Sequence, residues 1–300
     1  MKRLLKLVLA VFALLLGSAA PMAGQTVGQT RTVQRIAYVA TGCQWNGCWY
    51  TLLKESNASK TTQPFTMLFK TAQGAQWQVR DIFANGDFYD NIGYTETNLL
   101  PNTQVSFTIT VNLGRQTSSP ESGYVIVQIP EQWTGERWMP LVAVQAYYLL
   151  KDSRGLVLGS ASQEAASAEK AVILDAEMSW NVDSGVALVA LTSLAVKVEL
   201  YDAFSWTVGP DGLRAPVATT TINLAAGQMW VGMMTSELFK GSSYVQNAVN
   251  VPGQRGLNQV YARFSTDSAA GFYVAAALRA DRATDGSNWL LSGSTAFPAQ

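Results

Sequence analysis

The chain has 300 residues, 21 basic and 21 acidic side chains and no histidine, with 48 % apolar and 14 % charged residues. So low a charged fraction beside so much apolar material excludes a disordered chain and supplies one or two sizeable cores. With no histidine, Ser-His-Asp and Cys-His catalysis and any histidine-ligated metal are excluded as well.

The first residues read as an export signal. Lys2, Arg3 and Lys6 precede an unbroken apolar run from Leu7 to Leu16, and Gly17, Ser18, Ala19, Ala20 and Ala23 supply the small residues a signal peptidase accepts. The pattern predicts a signal peptide over residues 1–24, cut near Ala23 or Gly24 because Pro21 disfavours a cut after Ala20. Its loss removes three basic side chains and no acid, leaving a net charge of about −3 and arguing against nucleic acid as a partner. No later run is long and apolar enough for a membrane span in the mature chain. The expected location is secreted, periplasmic or at the cell surface.

Residues 25–34 are polar and read as a leader. Arg35 to Ala40 is the first expected strand. Cys43 and Cys48 flank Gln-Trp-Asn-Gly, and the spacing predicts a disulfide across an Asn46-Gly47 turn, a strong hairpin signal in an exported chain. Trp49 to Leu53 and Phe65 to Phe69 form a strand pair joined by a polar turn, which carries the glycosylation sequon Asn57-Ala-Ser59. Gln76 to Ile82 and Gln104 to Asn112 follow, the latter with Val105, Phe107, Ile109 and Val111 on one side. Tyr124 to Ile129 is apolar on both faces and reads as a central strand. Leu141 to Leu150 comes next. Ser160 to Ala171 is rich in helix formers and has no apolar stripe, so it reads as a linker with a helical turn or two.

Beyond the linker the unit begins again. Val172 to Trp180 leads in, Val186 to Leu191 is apolar on both faces, and Val196, Val198 and Leu200 then alternate with Lys197, Glu199 and Tyr201. Thr219 to Leu224, Met229 to Met234, Val260 to Phe264 and Phe272 to Leu278 follow in the order of the first half. Many short strands separated by Gly, Pro, Asn and Ser predict an all-β chain of two tandem antiparallel β-sandwich domains, 35–165 and 172–296. This repeated order resembles the immunoglobulin- or fibronectin-like modules of exported bacterial proteins, without the antibody-type pair of cysteines around a tryptophan. The resemblance implies scaffolding, adhesion or ligand display.

Three motifs touch on chemistry. Ser167-Ala-Glu-Lys170 fits Ser-x-x-Lys, but the companion Ser-Asp-Asn and Lys-Thr-Gly motifs are missing. Asp87 with Asp90, and Asp281 with Asp285, are spaced as turn residues; neither pair has EF-hand spacing. Trp133 and Trp138, with Glu136 and Arg137 between them, lie in Pro130-Glu-Gln-Trp-Thr-Gly-Glu-Arg-Trp-Met-Pro140, read as a loop between strands. The matching connection in the second half has no aromatic residue, so this segment is the candidate binding surface. The expected function is a non-catalytic binding or structural surface module without a cofactor or metal, its partner a protein or polysaccharide. The alternatives are a carbohydrate-binding module that stacks sugars on these tryptophans and a hydrolase working through paired carboxylates.

Overall fold

A computed structural model describes residues 30–44, 47–83, 88–92, 94–110, 121–134, 138–152, 154–205, 208–210, 212–250, 256–274, 278–282, 289–293 and 296–298. The expected signal peptide, Asn46, Asp87, Glu136, Arg137 and Asp285 lie outside these residues.

In chain order the strands are β1 (Thr30–Gln44), β2 (Gly47–Asn57), β3 (Gln63–Thr71), β4 (Val79–Phe83), β5 (Phe88–Ile92), β6 (Tyr94–Leu99), β7 (Thr103–Thr110), β8 (Glu121–Trp133), β9 (Trp138–Pro140), β10 (Val142–Lys151) and β11 (Val157–Glu164). They continue as β12 (Ala171–Met178), β13 (Val182–Ala190), β14 (Leu194–Asp202), β15 (Ala218–Leu224), β16 (Met229–Met233), β17 (Leu257–Ser265), β18 (Phe272–Val274), β19 (Leu278–Arg282), β20 (Trp289–Gly293) and β21 (Ala296–Pro298). A π-helix (Met234–Leu238) and one α-helix, α1 (Ser243–Val249), lie between β16 and β17. All the strand pairings are antiparallel.

Four layers result. Layer I is β5-β4-β7-β2-β10-β11 and layer II is β6-β3-β8-β1, with β9 added to β8. The long strand β1 bends at a register shift between Ile36 and Val39, and its last residues pair with β2, which joins layers I and II along one side. Phe65, Met67, Phe69, Val125, Val127 and Ile129 of layer II pack with Leu53, Val144 and Tyr148 of layer I. Layer III is β16-β13-β19-β20 with β18 on β13, and layer IV is β15-β14-β17-β12-β21. Val186 and Leu188 of layer III pack with Leu174, Val196, Val198, Leu200 and Phe264 of layer IV.

The pairing order of the first half recurs in the second. The run β6-β3-β8-β1 is matched by β15-β14-β17-β12, and β7-β2-β10-β11 by β16-β13, then β18 and β19, then β20. Layers II and III meet face to face. Ala37 and Tyr124 of layer II pack on Ala187, Val189, Met229 and Tyr273 of layer III. That contact explains why β13 is buried on both faces from Val186 on: Val186, Leu188 and Ala190 enter the layer III–IV core, and Ala187 and Val189 the interlayer.

Four expectations about the fold require correction. Residues 25–34 read as a leader, but Thr30 to Gln34 open β1 and pair with β8 from Thr30↔Glu131 to Gln34↔Val127. Ser160 to Glu164 belong to β11, paired with β10 from Gln145↔Glu164 to Lys151↔Val157. The strand was hidden because its inward residues are small or polar: Ala161 and Gln163 are buried, while Ser160, Ser162 and Glu164 are exposed. Residues 165–170 are not a loose linker either. Arg35 and Ala166 exchange backbone hydrogen bonds of 2.8 and 3.0 Å, and Phe272 N–H donates to the Glu169 carbonyl at 2.8 Å. The Cys43–Cys48 disulfide is present, but Gln44 stands opposite Gly47, so Gly47 is already in β2 and not in the turn.

Candidate functional site

The segment around Trp133 is a β-hairpin, not a loop. β8 runs on through Pro130 to Trp133, and β9 returns beside it with Glu131↔Pro140, Gln132↔Met139 and Trp133↔Trp138 in register. Pro130 argues against a strand by sequence alone, because it lacks a donor. Here it sits between the last residue paired with β3, Gln128, and the first paired with β9, Glu131. Its carbonyl accepts the Leu141 N–H at 2.9 Å, on the side where its own missing N–H would have pointed.

The hairpin end is open to solvent. Trp133 is 39 % and Met139 41 % exposed, and Gln132 and Thr134 are exposed beside them. By strand parity Trp133 follows Val127 and Ile129, so its ring continues the core-facing side of β8 past the end of the core. The structure thus brings Trp133 opposite Trp138 in the register, while Glu136 and Arg137 lie outside the described residues.

The other motifs are dispersed. Ser167 and Lys170 are both exposed on an extended connection. Asp90 lies within β5 and Asp281 within β19, where strands replace the expected turns. Asn57 of the sequon is 1 % exposed, and its amide nitrogen donates to the carbonyls of Thr61, Leu99 and Leu100 at 2.9, 2.9 and 3.1 Å. A nitrogen so engaged is closed to glycosylation in the folded chain.

The carboxylates with described contacts are held in local structure. Asp152 takes the N–H groups of Arg154 and Leu156, and Glu199 is paired with Lys197 and Arg263. Asp202 accepts from Phe204 N–H and the Tyr244 hydroxyl; burial first, then that carboxylate, pushes the Tyr244 phenol up to about 12. Asp183 accepts from Ser184 N–H and from the Thr235 N–H and hydroxyl. Burial, with the Glu237 charge adding to it, raises its carboxyl above the usual value, against the pull of those hydrogen bonds. Among the described residues no group of three or more Cys, Asp or Glu is placed to hold a metal. No described helix is long and apolar enough to cross a membrane.

Sequence reasoning missed one arrangement of aromatics. Tyr201 and Tyr261 stack at 4.9 Å on the outer face of layer IV, beside the Lys197–Glu199–Arg263 ion pairs. The alternation of Lys197, Glu199 and Tyr201 marked that face; the cross-strand partner Tyr261 is set by a register the sequence does not print.

No family model matches the chain, and no curated protein matches it. Solved structures with a partial likeness include BcpA, the major pilin subunit of Bacillus cereus (9 % identity, 90 % of this chain and 67 % of that one, TM-score 0.16). The RrgB pilus protein of Streptococcus pneumoniae has 9 % identity over 86 % of this chain and 38 % of that one, with a TM-score of 0.16. The catalytic domain of ZmpB from Clostridium perfringens with its CBM51 domains has 9 % identity over 87 % of this chain and 32 % of that one, with a TM-score of 0.12. TM-scores this low do not define a shared fold.

Proposed function

We propose that the chain is an exported, non-catalytic surface module of two tandem β-sandwich domains, 35–165 and 172–296, that binds a protein or polysaccharide through the β8–β9 hairpin. The observation that carries the reading is the exposed Trp133 at the end of a paired hairpin, opposite Trp138 in the register; Trp180 and Phe204 are exposed as well, but in turns. An indole held on a paired strand presents a rigid apolar surface at small entropic cost, as interface anchors do. The repeated pairing order supports the tandem reading, with no counterpart of this hairpin among the described residues of the second set of strands. Sugar stacking on the exposed indole is the more specific form of the same reading.

The test is Trp133→Ala in the mature chain, with melting temperature and capture of surface proteins and glycans on an array measured together. A binding hairpin loses about tenfold in affinity, close to the 0.5–1.5 kcal/mol an aromatic contact contributes beyond its area, with an unchanged melting temperature. A loss of several kcal/mol in stability with binding intact would make Trp133 a core cap and end the proposal.

A further inference from the structure

Unpaired sheet edges are where one chain invites another, and folds blunt them with charge, proline, short length, register shifts or a covering element. Among the described residues the sheet edges are blunted in those ways with one exception. β1, whose side away from β8 carries only the Arg35–Ala166 bridge before it turns to β2, has Arg31, Arg35 and a register shift. β5 and β6 carry Asp90 and Glu96; β9 and β21 have three residues each and end in Pro140 and Pro298. β11 pairs through a register shift and lies against β20, and β16 runs straight into the π-helix.

β15 has none of these devices. It is Ala-Thr-Thr-Thr-Ile-Asn-Leu, seven residues without charge or proline, and pairs with β14 in unbroken register from Leu194↔Leu224 to Leu200↔Ala218. Among the described residues no strand pairs with its other side. Ile222 and Leu224 are buried in the layer III–IV core, and Thr219, Thr221 and Asn223 are exposed.

We infer that β15 is a self-association edge, which pairs antiparallel with β15 of a second copy about a two-fold axis at Thr221. The sequence is complementary to itself in that register. On the core side Ile222 meets Thr220 and Leu224 meets Ala218 of the other copy, extending the apolar floor. On the outer side Thr221 meets Thr221, and Thr219 meets Asn223, which are hydrogen-bonding cross-strand pairs. Layer IV then becomes one continuous sheet of ten strands, and the contact is closed, because a two-fold axis uses up the edge on both copies.

Sedimentation of the mature chain and of two variants tests this. Thr221→Glu stands opposite Lys197 within its own chain, a favourable pair, but sets two carboxylates facing each other across the axis. The wild type is expected to sediment as a dimer, and Thr221→Glu to raise the dimer dissociation constant by about tenfold or more with an unchanged far-ultraviolet spectrum. Mixing Thr221→Glu with Thr221→Lys is expected to restore the dimer, a result that keeps the test decisive if either variant alone is perturbed. A monomeric wild type at tens of micromolar, a Thr221→Glu dimer as tight as the wild type, or no recovery in the mixture would each overturn the inference. None of these readouts depends on the β8–β9 hairpin.

Discussion

Asn57 is the residue on which one corner of layer I depends. It ends β2, is buried, and spends its whole side chain locally: its amide nitrogen serves three carbonyls, and its Oδ1 accepts the Ser59 N–H and hydroxyl at 2.9 and 2.7 Å. The buried Leu99 carbonyl would lose this donor, whereas the Leu100 carbonyl keeps the Thr103 hydroxyl at 2.7 Å. Asn57→Ala is therefore expected to cost about 2–3 kcal/mol by the penalty for stranding buried polar groups, measured by urea unfolding; a cost under about 0.5 kcal/mol would show that water substitutes freely. Expression in a glycosylating host is expected to leave the site unmodified by mass. The polar run from Glu55 to Gln63 made a turn legible in the sequence, but not this role, because the carbonyl partners are 42 and 43 residues away.

At the scale of elements, local patterns were legible where a face alternates in size and polarity, and were lost where it does not. β7 and β14 alternate plainly and stand where the pattern put them. β11 buries Ala161 and Gln163 and so shows no apolar stripe, and Pro130 hides the last residues of β8. α1 is not among the expected elements although its signals are there: Ser242 accepts the Val245 N–H as N-cap, and Val245 and Val249 are buried four residues apart. The π-helix before it is held by Asp183, whose carboxylate takes the Thr235 N–H and hydroxyl. Gly232 leaves room for this packing, since a Cβ there would collide with the Glu237 carboxylate and the Trp230 ring. The raised Asp183 carboxyl sets a pH dependence. The folded state holds the proton more tightly than the unfolded state, so the stabilisation is complete below the unfolded carboxyl range and is lost as pH rises through the raised folded value. Asp183→Asn, which keeps an acceptor for Thr235 and Ser184, is expected to flatten the stability profile across that acid window and to leave stability at pH 7 unchanged or higher. A steeper profile, or a loss of more than about 2 kcal/mol at pH 7, would show that the charged form is the favoured one.

The whole molecule turns on the contact between layers II and III. Val186 to Leu191 announced a strand buried on both sides, yet nothing local named the second cover, which is the outer face of β1 and β8 more than sixty residues earlier. The contact is made by directed bonds as well as by apolar packing. The Tyr124 hydroxyl donates to the Gly227 carbonyl at 2.8 Å, Met229 N–H donates to the Ala72 carbonyl at 2.8 Å, and the Tyr273 hydroxyl donates to the Val33 carbonyl at 3.4 Å. Arg35 is buried there with its guanidinium carbon 4.4 Å from the Tyr273 ring centre, and its Nε and Nη1 have no hydrogen-bond partner. The ring face offsets part of the cost of burying that cation. Gly74 and Gly227, both at positive φ, let the two halves approach closely; a Cβ on Gly74 would sit 2.7 Å from the Gly227 carbonyl oxygen. With six chain residues between β11 and β12 also tied down, the two halves have no free joint on which to part. Calorimetry of the mature chain is accordingly expected to give one unfolding transition. Gly74→Ala forces a side chain into a left-handed backbone and against the opposing carbonyl, and is expected to cost on the order of 1–3 kcal/mol. Because the halves are coupled, the variant should lower the midpoint of the whole transition or split it in two. A wild type that already melts in two steps, or a Gly74→Ala variant that shifts nothing, would mean that the halves merely touch.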